Sequence, residues 1–246
     1  MSFADGCLIA GSADYPDGHR LERHDHEWGQ LTFCNGGMMR VTSDSAVWLS
    51  PPTRAIWLPA GAPHEIVMKG EVAARFLYLS PELAGPLPQE PRLMEVAPLL
   101  RELILHLLTV GTLHPETPAE ARLAGLVVDL MLAARPIDLA LPLPRDRRAR
   151  ALAERLLANS ADPAPLAELA RHAGASLRTV QRLFPAETGL TLEAWRQKAR
   201  LTAGAAALSV GAPVTAASLD CGYESPSAFI TAFKRQFGVT PGRFRT

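Results

Sequence analysis

Three long polar side chains between positions 178 and 182 have the chemistry needed to recognise another molecule. Arg178, Gln181 and Arg182 fall on one face of a predicted helix, which turns once in about 3.6 residues. An arginine can donate two hydrogen bonds to guanine O6 and N7, and a glutamine can pair similarly with adenine N6 and N7. This face predicts direct reading of base edges in DNA, although a merely solvated face would have the same composition.

A second polar face follows about fifty residues further along the chain. It carries Ser227, Thr231 and Lys234, with Arg235 near its edge. These side chains are short or cationic, so we expect mostly phosphate contacts, through Lys234 and Arg235. The sequence therefore predicts two DNA-contacting faces of unequal specificity.

Two histidines near the N-terminus offer a different chemistry. His24 and His26 are separated by one residue in a region with a β-strand pattern, so their side chains would share one face of a strand. Neutral imidazole is a common ligand of divalent metal ions. The pair predicts part of a metal site that needs a further ligand from elsewhere in the chain.

Two pairs of short helices are predicted to position the polar faces. In each pair a glycine, Gly174 or Gly222, ends the first helix, and a serine, Ser176 or Ser225, caps the second. Apolar side chains at helical spacing form the buried side of the second helices: Leu177, Val180, Leu183 and Phe184 in one, and Phe229, Phe233 and Phe237 in the other. Two helices joined by a tight turn, the second with a polar face, are typical of a helix-turn-helix. Because Pro185 lacks an amide hydrogen, we expect the first of these second helices to end or kink near Phe184.

The last hundred residues resemble the DNA-binding domain of the AraC/XylS transcriptional regulators. The family signature is matched by Gly222, Tyr223, Ser227, Phe229, Phe233, Lys234, Gly238, Thr240, Pro241, Phe244 and Arg245. Thr231 stands where the family usually has Arg. The resemblance implies that the side chains facing double-stranded DNA are Ser176, Arg178, Gln181, Arg182, Ser227, Thr231, Lys234 and Arg235.

The distribution of charge also distinguishes the last hundred residues from the rest of the chain. Residues 1–144 hold 10 Lys and Arg against 17 Asp and Glu, a net charge of −7, whereas residues 145–246 hold 15 against 8, a net charge of +7. A basic C-terminal half attracts a phosphate backbone, and an acidic N-terminal half is repelled by it.

Residues 19–80 alternate short apolar runs with turn-forming segments, which predicts a small barrel or jelly roll of short strands. This region resembles a cupin. Its two motifs are matched by Gly18, His24, His26, Gly37, Pro59, Gly61 and His64, while Gln30, Thr53 and Met68 replace the usual Glu, Gly and Asn. AraC-type regulators often carry such a sensor at the N-terminus, so the two resemblances support each other.

The cupin resemblance implies that His64 joins His24 and His26 inside the barrel, with Gln30 beside them. Three imidazoles with an open position could hold a divalent ion such as Zn or Ni. The change to Gln30 removes the anionic ligand and favours instead a polar pocket for an organic effector. The sequence leaves both ligands open.

We therefore predict an α+β protein of two domains. Residues 1–92 form a cupin-like β-barrel (jelly roll) sensor, and residues 93–135 form a helical hairpin that either mediates dimerisation or packs within the subunit. Residues 136–144 are a proline-rich linker, and residues 145–246 form an all-α domain with two helix-turn-helix motifs.

Three further features indicate a cytoplasmic protein without a membrane partner. No run of ~18 apolar residues is present, and the first residues lack the pattern of a secretory signal. The cysteines Cys7, Cys34 and Cys221 are odd in number and widely spaced, which suits a reducing compartment.

The favoured function is a homodimeric transcriptional regulator that senses a small molecule or metal ion, with RNA polymerase as a partner if it activates. It is not predicted to be an enzyme. The alternatives are a metal-dependent cupin enzyme fused to a DNA-binding domain, which would need a complete ligand set, and an architectural DNA protein with a fully packed barrel.

Overall fold

A computed structural model of the chain describes residues 7–52, 54–137 and 140–244. Thr53 and Arg245, which belong to the sequence motifs, lie outside the described residues, as do residues 138–139 of the predicted linker. Within the described ranges, no helix combines the length and the apolar character that crossing a membrane requires.

The chain divides into two compact units. The first comprises Met1–Ser43 and Trp48–Ala140, and the second comprises Asp44–Val47 and Leu141–Thr246.

Among its described residues, the first unit contains antiparallel strands and three helices. Its strands are β1 (Leu8–Tyr15), β2 (Arg20–His24), β3 (Gly29–Cys34), β4 (Met38–Ser43), β6 (Arg54–Leu58), β7 (His64–Lys69), β8 (Val72–Leu79), β9 (Arg92–Glu95), β10 (Thr112–Leu113) and residues 48–50 of β5 (Ala46–Ser50), whose first two residues belong to the second unit. Its helices are α1 (Pro81–Ala84), α2 (Pro98–Val110) and α3 (Pro118–Ala133). One sheet has the order β10-β1-β8-β3-β6-β9, and β5, β4, β7 and β2 follow one another in the other sheet.

The helices α2 and α3 cover one face of the first sheet. Leu31 and Phe33 of β3 belong to the same buried cluster as Leu103 of α2 and Val127 of α3. Because side chains alternate along a strand, Gln30 lies on the opposite face of β3 from that helical layer. This alternation places Gln30 on the side where the histidines are found.

The predicted fold class is confirmed, with two differences in detail. The strands form two separate sheets rather than a closed barrel, and β9 and β10 are the outer strands of the first sheet. Residues 93–95, predicted at the start of the helical hairpin, instead continue the strand that pairs with β6, and Leu93 and Met94 are buried. The first long helix therefore begins at Pro98, where a proline loses no helical hydrogen bond.

The second unit is mostly helical. A short strand β11 (Leu141–Pro142) pairs with residues 46–47 of the same unit. Its helices are α4 (Arg147–Ala158), α5 (Leu166–His172), α6 (Leu177–Thr188), α7 (Leu192–Ser209), α8 (Val214–Asp220), α9 (Pro226–Phe237) and α10 (Pro241–Phe244). The pairs α5–α6 and α8–α9 are the two predicted helix-turn-helix motifs.

The first motif packs around Trp195 of α7. The Trp195 ring contacts Phe184 of α6 edge to face, with 5.4 Å between ring centroids. Its indole Nε1 donates a hydrogen bond of 2.6 Å to the Pro142 carbonyl. The helix α6 does not end near Phe184, which was one of the two outcomes expected there. It continues past Pro185 to Thr188, where the Thr188 hydroxyl donates to the Phe184 carbonyl and Gly189 closes the helix at φ 71°.

The second motif packs through aromatic rings. Phe229, Phe233, Phe237 and Phe244 form a chain of contacts with centroid distances of 4.3–5.3 Å. Gly204 of α7 makes this packing possible, because a Cβ there would lie 2.7 Å from the Phe229 ring. This core fixes which face of α9 points outward.

Candidate functional site

Helix α6 presents the predicted base-reading side chains to solvent. Arg178, Gln181 and Arg182 are exposed, whereas Val180, Leu183 and Phe184 are buried. The Ser176 Oγ caps the helix by accepting a hydrogen bond of 3.1 Å from the Thr179 amide. The cap fixes the start of α6, so the structure gives Ser176 a structural hydrogen bond in addition to its predicted place on the DNA-facing side.

A carboxylate that the sequence did not single out lies beside this surface. Gln181 Nε2 donates to Glu193 Oε1 of α7 at 3.4 Å. Glu193 also lines a cavity of about 310 Å³ with Leu166, Arg196, Gln197, Arg200 and Tyr223. The polar residues of α7 recur at i, i+3, i+4 and i+7, which is the sequence signal that would have revealed this face. The structure thus adds two guanidinium groups near the first helix-turn-helix motif.

Helix α9 presents the second predicted face. Ser227, Thr231, Lys234 and Arg235 are all exposed. The Thr231 hydroxyl donates a hydrogen bond of 3.0 Å to the Ser227 carbonyl one turn earlier. The Ser225 Oγ caps the helix at the Ala228 amide. Two of the hydroxyl groups at this end of α9 are therefore engaged with the helix backbone.

The three predicted histidines meet in the first unit. Ring centroids are separated by 4.4 Å between His24 and His64, 5.2 Å between His26 and His64, and 6.1 Å between His24 and His26. His24 is opposite His64 in the pairing of β2 with β7, after a bulge that follows Leu21. His26 lies beyond the end of β2, so the predicted alternation along one strand is not what brings it to the cluster.

Backbone carbonyls orient all three imidazole rings in the same way. Each Nδ1 lies within hydrogen-bonding distance of a carbonyl two residues away: Glu22 for His24, Trp28 for His26 and Ala62 for His64, at 2.6–2.9 Å. A carbonyl only accepts, so each Nδ1 must carry the proton, and a neutral ring then has its lone pair at Nε2. This is the arrangement by which a second hydrogen bond orients metal-ligating histidines.

The site also includes the side chain of Gln30, and one of its histidines, His64, is buried. His26 Nε2 is 2.7 Å from the side-chain oxygen Oε1 of Gln30. Turning the Gln30 amide by 180° brings its NH2 group to this position, because the two ends of an amide are interchangeable in shape. A neutral His26 with its proton on Nδ1 can accept from the Gln30 NH2 group or bind a metal ion, but cannot do both. His64 is fully buried, and its Nε2 has no hydrogen-bond partner. With ligand atoms all within 4.8 Å of one another, His24, His26 and His64 could hold a metal ion.

Burial makes the metal-free site sensitive to acid. It lowers the pKa of His64 to about 4, whereas an unfolded chain has a histidine pKa of about 6.5. Only the unfolded chain takes up this proton between those values, so the free energy of unfolding is expected to fall as the pH drops from about 6.5 to 4. Urea denaturation of the metal-free protein across this range measures the loss, on the order of 3 kcal/mol in full.

The variant His64→Gln isolates this contribution, because it keeps a polar side chain that does not titrate. Its unfolding free energy should depend less on pH than that of the unsubstituted chain. Equal pH dependence of the two proteins would contradict the assignment to His64.

Comparison with known protein families matches two models, which overlap at residues 169–173. A model described as an AraC-like ligand binding domain matches residues 6–173, and one described as a helix-turn-helix domain matches residues 169–246.

Individual proteins are also similar to the chain. The HTH-type transcriptional regulator NimR of Escherichia coli is 32% identical over 221 residues, which cover 90% of this chain and 81% of NimR. The HTH-type transcriptional regulator RipA of Corynebacterium glutamicum is 37% identical over 105 residues, or 43% of this chain and 32% of RipA. A crystal structure of ToxT from Vibrio cholerae covers 100% of this chain and 97% of its own, at 10% identity and a TM-score of 0.41.

Proposed function

Because the chain belongs to the AraC family of transcriptional regulators, we propose that α6 reads its operator and that the histidine site binds the effector. The family supplies an N-terminal ligand-binding domain and a C-terminal helix-turn-helix domain that binds DNA. The single observation that carries the proposal is the exposed Arg178, Gln181 and Arg182 face of a capped helix in a helix-turn-helix.

The side chains of α6 suit the major groove. A recognition helix contacts base edges with residues from its N-terminal part, where Arg178, Gln181 and Arg182 lie. The guanidinium groups favour guanine and the Gln181 amide favours adenine. Glu193 holds the Gln181 amide in the free protein, so this hydrogen bond must be exchanged for one with a base.

One subunit can reach two grooves. Helix α7 has 18 residues and connects the two motifs, which gives a length of about 27 Å. One turn of DNA measures about 34 Å, so α6 and α9 suit successive major grooves. Arg196 and Arg200 of the α7 cavity add candidate phosphate contacts.

In the first unit, the proposed ligand is a divalent ion, Zn or Ni, held by the Nε2 atoms of His24, His26 and His64. Two observations support it: each Nδ1 is engaged by a carbonyl, and the buried His64 Nε2 lacks a partner. A bound ion would connect β2 with β7 and offer a Lewis-acidic position to an organic effector. The relatives are regulators, and we propose a sensor here rather than an enzyme.

We further propose a homodimer formed through α2 and α3. Leu99, Val110, Leu126 and Leu132 of these helices are 38–58% exposed although they are large and apolar. An apolar surface of this kind favours a second subunit. If the regulator activates transcription, RNA polymerase is the further partner.

The α6 proposal predicts that Arg182→Ala weakens binding to the preferred operator by ~1–3 kcal/mol and relaxes preference at one base pair, because a bidentate contact is lost. The operator is obtained by selection from random duplex DNA, and affinities of single-base variants are then measured by fluorescence anisotropy.

Lys234→Ala is the matched control, since it also removes one exposed cation. It should weaken all sequences alike, because a phosphate contact carries no base information. The ranking of the two residues would be wrong if Lys234→Ala changed base preference and Arg182→Ala did not.

A further inference from the structure

The first two turns of α9 lack the side chains that read base edges through paired hydrogen bonds. Residues 226–233 contain no Arg, Lys, Asn, Gln, Asp or Glu. The side chains exposed there are Ser227, Ala228, Ile230 and Thr231. Lys234 and Arg235 come only in the last turn. This composition contrasts with α6, so α9 must use another property of the bases if it discriminates among them.

Hydrogen bonding within the helix leaves methyl groups as the main recognition feature. The Thr231 hydroxyl donates a hydrogen bond of 3.0 Å to the Ser227 carbonyl. Because this bond engages the hydroxyl, the methyl group is the part of the Thr231 side chain that remains for contact with another molecule. Ala228, three residues earlier and therefore on the same side of the helix, is exposed as well. The Ser227 hydroxyl can bond to any base and therefore discriminates little.

A shallow cavity of about 430 Å³ lies along this face. It is lined by Ser227, Ala228, Thr231, Ala232 and Arg235. Most of the side chains that line it are small and carry a methyl group, and the one guanidinium group among them can bind a phosphate. In the major groove, thymine is the base that presents a methyl group, at C5.

We propose that α9 recognises thymine by apolar contact between its 5-methyl group and the side chains of Ala228 and Thr231. Lys234 and Arg235 hold the flanking phosphates. The inference rests on the proposed function, because α9 must lie in the major groove for these contacts to form. The inference therefore gives α9 a preference for one base, although its hydrogen-bonding side chains alone predict almost no discrimination among bases.

The test uses full-length protein and duplexes that it selects from a random pool. In the selected duplex, thymines of the half-site contacted by α9 are replaced by deoxyuridine, which removes the methyl group and keeps every hydrogen-bonding group. Affinity should fall about fourfold for each contacted methyl, the value of one buried methyl group. Deoxyuridine in the α6 half-site is the matched control and should have little effect.

Two substitutions separate the methyl group of Thr231 from its hydroxyl. Thr231→Val keeps the methyl and loses the hydroxyl, so it should retain the sensitivity to deoxyuridine. Thr231→Ser loses the methyl and should reduce that sensitivity. Thr231 is exposed, so neither change should disturb the core, and circular dichroism checks that both variants are folded.

The possible outcomes are distinct. Selection of thymines in one half-site, with loss of affinity on deoxyuridine substitution, supports the inference. Selection without any effect of deoxyuridine, or the reverse ranking of the Val and Ser variants, overturns it and leaves DNA reading by α6 intact. A random pool with no enriched sequence overturns the proposed function and this inference together.

Discussion

Replacing His64 by alanine is expected to abolish binding of Zn and Ni by the chain. The proposed site has three imidazole ligands, and the Nε2 of His64 is the one that is buried without a partner. A structural or sensory site with two ligands from the protein lacks the coordination that holds such ions. Isothermal titration of the metal-free protein with each ion measures the loss. DNA affinity of this variant without metal should stay unchanged, since the recognition helices belong to the second unit.

Further variants distinguish a loss of metal ligands from a loss of folding. Because His64 is fully buried, His64→Ala could weaken the fold, whereas His24 is exposed and His24→Ala should lose metal while remaining folded. His106→Ala, at an exposed position on α2, is the matched control and should bind metal normally. Gln30→Glu should tighten binding, because a carboxylate replaces a poor amide ligand. An unsubstituted chain that binds neither ion would refute the metal and leave an organic effector.

Local signals predicted the second unit well. Ser176 and Ser225 cap α6 and α9 as expected, because a serine followed by free helix amides needs no distant partner. Gly238 ends α9 in the left-handed region, at φ 76°. Of the two outcomes expected at Pro185, an end or a kink near Phe184, the end is excluded, because α6 continues to Thr188 and is closed by Gly189.

The first unit was harder to predict from the sequence, because its strands pair with segments that are distant in the chain. The strand β9 forms only because residues 92–95 find β6, more than thirty residues earlier in the chain. The histidine cluster depends on the bulge between β2 and β7 and on the loop that carries His26, neither of which a pattern of alternating residues encodes. The spacing of the cupin motifs predicted His24, His26, His64 and Gln30 as site residues. It did not predict the backbone carbonyls that hold the proton of each histidine at Nδ1, because these contacts depend on the fold.

DNA affinity of the full chain is expected to fall roughly a thousandfold between 50 and 200 mM salt, if about six phosphates are contacted. The net charge of the chain is zero, so a simple charge argument would predict almost no dependence. Counterion release depends instead on cations close to the backbone, and residues 145–246 carry a net charge of +7. Anisotropy titrations at four salt concentrations give the slope of log affinity against log salt.

Single substitutions then count the contacts that make up this slope. Lys234→Gln should make it shallower by about 0.9, the contribution of one phosphate, and should leave the preferred sequence unchanged. Lys69→Gln removes the same charge from an exposed position of the first unit and should leave the slope as it was. Affinity that hardly responds to salt would contradict phosphate contacts by the second unit. Equal effects of the two lysine variants would show that overall charge, rather than the α9 surface, governs binding.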